Sequence, residues 1–219
     1  MNRPTLKALV PFIAIPLSVS ALGQTPPSPV PIGTVAGHSL LRVLVNGGVA
    51  EAIGYFPFID SLGNRVFNGA PGERSAMLSF RTPQFRVNTL ANGKVLMLRP
   101  TTLLVEGLVY NVYFDPTPSR DFAQPATFSS GQLVGVYKGN TAAIVSIEGQ
   151  TVTYGASLEL SSSSDFVLNG ETVNLANIAK AIHVNVLGPA PTFEQIGSGT
   201  LISIPLGGSF TATANRQSK

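Results

Sequence analysis

The chain has 219 residues, no cysteine and a formal net charge of +3, and only 11% of its residues are charged. The missing cysteine excludes disulfide scaffolds, thiol nucleophiles and Cys-based metal sites. A charged fraction near half the usual quarter of a chain excludes long solvent-facing helices, which draw on Glu, Lys and Arg.

Residues 1–23 read as a secretory signal peptide. Arg3 and Lys7 give a positive start, Ala8 to Leu22 form an apolar run interrupted by Pro11 and Pro16, and Ala21-Leu22-Gly23 before Gln24 fits a small-x-small cleavage site. The run is shorter than the ~20 residues a spanning helix needs, and its prolines would break one. The expected mature protein is secreted or periplasmic, with no later segment able to span a membrane. Losing Arg3 and Lys7 leaves twelve basic and eleven acidic residues, a net charge of +1. No nucleic-acid partner is expected from so balanced a chain.

Residues 24–31, "QTPPSPVP", form a proline-rich lead-in, and 32–219 a single domain. Short β-rich runs follow: "LLRVLV", "VAEAIGYFPFI", "RVF", "QFRVNTLANGKVLMLR", "AAIVSIEGQTVTYGASLEL", "DFVLNGETVNL" and "GTLISIPLGGSFTATA". Turn dipeptides punctuate them, including Asn92-Gly93 and Asn169-Gly170, whose residues suit the positive φ of tight hairpins. Val152, Tyr154, Ala156, Leu158 and Leu160 alternate with Thr151, Thr153, Gly155, Ser157 and Glu159, as half-buried antiparallel strands do. Leu175, Ile178, Ala179 and Ile182 fall at i, i+3, i+4 and i+7 after Asn174, a candidate short helix near 174–182. The expected fold is all-β: an antiparallel β-sandwich, with a closed β-barrel as the alternative, of about ten to twelve short strands.

Few residues carry chemistry. "VYFDPTPSRDF", Val112 to Phe122, spaces Asp115, Thr117, Ser119 and Asp121 as calcium ligands would be spaced. Only two are carboxylates, Arg120 stands where a loop glycine belongs, and Pro116 and Pro118 stiffen the backbone. A rigid connection without metal is the expectation. Ser39 in "GHSLL" lacks the second small residue of a nucleophile elbow. His38 and His183 have no zinc spacing, and none of the eleven carboxylates is marked as part of a pair.

Two patches remain. Tyr55, Phe56 and Phe58 make an aromatic cluster, either a buried central strand or a platform for a sugar ring; by parity Phe56 and Phe58 share one face and Tyr55 the other. A two-residue turn at Asn92-Gly93 would set Arg86 opposite Arg99, with Arg81 or Lys94 within reach, a candidate anion site. The expected function is that of an extracytoplasmic, non-catalytic binding or structural module without cofactor, its partner an anionic glycan or envelope component. The alternatives are a barrel carrying a small apolar ligand and a carboxylate-based hydrolase.

Overall fold

The computed structural model describes residues 29–46, 49–86, 88–89, 101–105, 107–139, 143–148, 151–189, 194–195 and 202–213. The expected leader and its cleavage site, the Asn92-Gly93 turn, Lys94 and Arg99 lie outside the described residues.

β1 (Val35–Asn46) and β2 (Val49–Ile59) form the first hairpin. Two 3-10 turns, Asn64–Val66 and Glu73–Ser75, follow, so "RVF" is not a strand but the end of a turn plus a single bridge from Phe67 to Ala76. β3 (Leu78–Arg81), β4 (Phe85–Arg86) and β5 (Asn88–Thr89) make the third stave. β6 (Thr101–Val105) and β7 (Val109–Phe114) make the fourth. A 3-10 segment, Pro125–Ser129, precedes β8 (Gln132–Gly139) and β9 (Ala143–Glu148), the fifth stave. β10 (Thr151–Ser163) is the sixth. The small hairpin of β11 (Phe166–Leu168) and β12 (Glu171–Val173) and a 3-10 turn, Leu175–Asn177, then lead to β13 (Ala181–Pro189), β14 (Glu194–Gln195) and β15 (Ile202–Ala212).

The staves pair in chain order, and the ring closes because β10 pairs β13, β13 pairs β15 and β15 returns to β1. The result is a closed eight-stranded antiparallel barrel with a two-stranded sheet beside it. The all-β antiparallel expectation holds, and of the two packings named it is the barrel that forms. Closure satisfies the edge hydrogen bonds that a sandwich leaves exposed.

Alternation decides which side faces inward. Val152, Tyr154, Ala156 and Leu158 are buried, as the sequence phase requires, while Thr151 and Thr153 are exposed. β13 repeats the pattern with Ile182, Val184 and Val186 inside and His183 and Asn185 outside. Phe56 packs between Phe80 and Phe210, with ring centroids at 5.2 and 5.6 Å, and Phe80 meets Tyr110 at 5.1 Å. Gly54 makes room for this cluster: a Cβ there would lie 2.6 Å from the Phe80 ring.

The short helix does not form. Asn174 caps as expected, accepting from the Ala176 amide at 2.9 Å, but only the 3-10 turn Leu175–Asn177 follows and Ile182 already belongs to β13. Leu175, Ile178 and Ala179 are buried because this turn closes one end of the barrel together with Phe166, Leu168 and Val173. Burial at that end, not helical periodicity, produces their spacing.

Candidate functional site

A cleft on the outside of the barrel gathers polar side chains. Its origin is local. Four steps separate Arg81 from Phe85, but only three separate their β2 partners, Ile53 and Ala50. The extra residue is a bulge. Thr82 repairs the ladder with its own hydroxyl, which accepts from the Ala52 amide at 2.8 Å while the Thr82 amide donates to the Ala52 carbonyl at 2.9 Å. Pro83 follows and has no N–H to donate. The sheet surface opens there into a cleft of about 340 Å³ lined by Glu51, Arg81, Gln84, Asn111, Tyr113 and Ser129, with Thr82 and Pro83 at the bulge.

Arg81 and Glu51 organise the cleft. The Arg81 Nε and Nη2 both donate to Glu51 Oε2, at 3.1 and 3.0 Å, and Nη1 reaches the Ser129 hydroxyl at 3.4 Å. Glu51 Oε1 is left without a protein partner among the described residues, as are the side chains of Gln84, Asn111 and Tyr113. Asn111 and Tyr113 face outward because Tyr110, Val112 and Phe114 take the inward positions of β7. Charge is balanced, donors and acceptors are both on offer, and the Tyr113 ring adds an apolar surface.

The wall bearing Ser129 is held by the stretch with calcium-like spacing. Its oxygens do not converge on a metal position but turn to the chain itself. Asp115 Oδ1 accepts from the Thr117 amide at 3.0 Å, Asp115 Oδ2 from the Ser130 hydroxyl at 3.0 Å, and Asp121 Oδ1 from the Ala123 amide at 2.8 Å. The cation at the centre is Arg120. It is fully buried, and its Nη1 donates to the Thr127 carbonyl and to the carbonyl and hydroxyl of Ser130, with Asp115 Oδ2 at 3.9 Å. Desolvation lowers its pKa from the ordinary value, and Asp115 opposes that shift. Its Nε and Nη2 have no acceptor among the described residues. Phe122 and Phe128 stack at 4.7 Å over Tyr55 and Ile53, pinning the segment to the barrel wall.

The candidates read from the sequence are scattered. Arg81 lines the cleft, but paired with Glu51. The ladder between β5 and β6 puts Asn88 opposite Leu104 and Thr89 opposite Leu103, which is not the register that faces Arg86 with Arg99. Inward packing sets that register: Arg81 faces Asn111 and Phe80 faces Val112 on the same two staves, in step with Asn88 and Leu104. The Arg86 backbone pairs with Val49; its side chain, Lys94 and Arg99 lie outside the described residues.

The aromatic platform is not assembled. His38 faces Phe58 and Leu40 faces Tyr55, so β2 carries one extra residue at this bulge. The one face expected to be shared by Phe56 and Phe58 is thereby split. Phe58 lies on the outer side beside His38, at 5.8 Å, Phe56 points inward, and Tyr55 is covered from outside by Phe67 and Phe122. Ser39 is buried, lining an interior cavity of about 20 Å³. His183 Nδ1 lies 3.0 Å from the exposed Ser157 hydroxyl. β15 runs between the two histidines, pairing His38 with Ser209 and His183 with Thr211, so two strand spacings and a two-residue offset keep their backbones more than about 10 Å apart.

Glu51, Gln84, Asn111, Tyr113 and Ser129 were not singled out from the sequence. The one available signal was Thr82-Pro83, a break inside an otherwise strand-like stretch. No protein-family model, curated protein or solved structure matches the chain. The reading of the cleft therefore rests on its own chemistry.

Proposed function

We propose that the protein is an exported, non-catalytic binding module that holds a small polar ligand on the outer wall of the barrel. The observation that carries this reading is the cleft at the Thr82 bulge, where Glu51, Arg81, Asn111 and Tyr113 converge from three staves. Its volume of about 340 Å³ lies at the lower end of ordinary ligand pockets, about 300–1,000 Å³. Near Ser39, at the described part of the interior, Phe56, Phe80 and Phe210 leave about 20 Å³, space there for one water. Hydrolysis by paired carboxylates finds one acid in the cleft, Glu51, partnered by arginine.

Export rests on the charged start, apolar run and small-residue end of residues 1–23. The test of the binding reading is backbone-amide NMR of the mature protein titrated with small polar ligands. Shifts centred on Glu51, Arg81, Asn111 and Tyr113 are expected. Shifts centred on Phe56, Phe80 and Phe210 would favour carriage inside the barrel, and N-terminal sequencing that finds Met1 on exported protein would remove the signal peptide.

A further inference from the structure

The pairing of Arg81 restricts what the cleft can hold. On the cleft reading above, we infer that its ligand is an uncharged saccharide unit rather than an anion. The basis is the arrangement around Glu51 Oε2. Both N–H groups on the side edge of the Arg81 guanidinium already converge on that single oxygen, at 3.1 and 3.0 Å. This is the edge that would otherwise grip a carboxylate, sulfate or phosphate. An anion on that edge has to displace Glu51 and leave a carboxylate that is 14% exposed without its counter-charge, and an anion on the outward N–H groups sits beside the Glu51 carboxylate and is repelled by it.

A polyol needs no such displacement. Neighbouring ring hydroxyls each donate once and accept twice, so they match a wall that offers both roles. Glu51 Oε1 accepts one hydroxyl proton. The outward N–H groups of Arg81 donate to the hydroxyl beside it. The carboxamides of Asn111 and Gln84 can each donate and accept from the other sides. Tyr113 and Pro83 supply apolar surface for the C–H face of a sugar ring. The Arg81–Glu51 pair is thus a fixed donor–acceptor couple, held in place before the ligand arrives, which lowers the ordering cost of binding.

The test compares a neutral hexose series, the matching uronic acids and inorganic sulfate, by calorimetry or ligand-observed NMR at two salt concentrations. The wild-type protein should bind neutral sugars saturably, with little salt dependence. Asn111→Ala combined with Tyr113→Ala should weaken that binding at least tenfold, with the melting temperature kept as the check on folding. Glu51→Gln frees the Arg81 fork and should raise uronate affinity at least threefold while lowering that for neutral sugars. Tighter binding of uronates or sulfate than of neutral sugars by the wild type would overturn the saccharide inference and leave the cleft reading standing. Neutral-sugar binding that the double variant does not alter, or no binding in any arm, would overturn both.

Discussion

Segments 115–131 and 164–180 both leave the barrel and fold back onto it, but they are held by opposite means. The first lies against the outer wall around a buried cation, with Arg120 and the Asp115, Thr127 and Ser130 oxygens at its centre. Phe122 and Phe128 are its apolar foothold. The second closes an end of the barrel almost wholly with apolar side chains: Phe166, Leu168, Val173, Leu175 and Ile178 are all buried. Its polar ties enclose no buried cation: the Tyr137 hydroxyl donates to the Ala179 carbonyl at 2.8 Å, Arg65 pairs with Glu171, Asn174 bonds with Ser163 and Asp165, and the Ser164 hydroxyl donates to the Leu133 carbonyl. An apolar closure is stabilised by burial, which any similar side chain can supply. The loop around Arg120 depends on directed hydrogen bonds, which no other side chain supplies in the same geometry. The loop also forms a cleft wall through Ser129, whereas the cap lines none of the cleft.

The largest expected effects test the apolar anchors of the two segments. Phe128→Ala and Leu168→Ala remove fully buried side chains and should cost about 3–5 and 2–5 kcal/mol respectively in chemical denaturation. A cost for Phe128→Ala below about 0.5 kcal/mol, the range of surface substitutions, would mean that segment 115–131 is not docked by its aromatic pair.

Alkaline pH should act on the barrel interior and its cap. Burial pushes the Tyr110 phenol up from 10.0 to about 12 and raises Tyr137 and Tyr154 as well. The folded state thus favours the neutral phenol. The Tyr110 contribution is fully present below pH 10, the unfolded value, and is lost as pH rises through about 12, a change on the order of 3 kcal/mol. Deprotonation of Tyr137 also removes the bond to Ala179. Chemical denaturation followed from pH 9 to 12 should show stability constant up to about pH 10 and falling above it. Constant stability across the whole range would mean that the buried phenols are not held neutral by the fold.

Arg120→Met keeps the length of the side chain but strands the Thr127 and Ser130 carbonyls. A loss of about 1–3 kcal/mol is expected, with exchange rising in 115–131 and unchanged in 164–180. A more stable variant would show that the orphaned Nε and Nη2 cost more than the bonds of Nη1 return. The smallest effect belongs to the cap turn: Asn174→Ala removes the bonds to Ala176, Ser163 and Asp165 and should cost about 1–2 kcal/mol, read as a lower melting temperature with cleft binding intact.

The strand content and the inward phase of β10 were legible because alternation is a local property of residue type: Val152 to Leu158 read the same in the sequence and in the barrel. Asn169-Gly170 was legible too, with φ of 51° and 85° at the tip of the β11–β12 hairpin. Bulges were harder. Pro57 and Pro83 stand in or beside them, and proline in a strand-like run is a usable warning, but it does not say which way parity shifts.

The sequence by itself determined an antiparallel all-β chain, its tight turns and the alternation of its faces, because each depends on residues within a few positions of one another. Tertiary structure alone decided the rest. Closure into a barrel depends on Leu41 finding Leu206, residues far apart in the chain. Arg81 is neutralised by Glu51 from another strand, and Arg120 is buried because a loop folds back over it. Charge on an arginine is fixed by its chemistry, but what surrounds that charge is fixed only once distant strands are side by side.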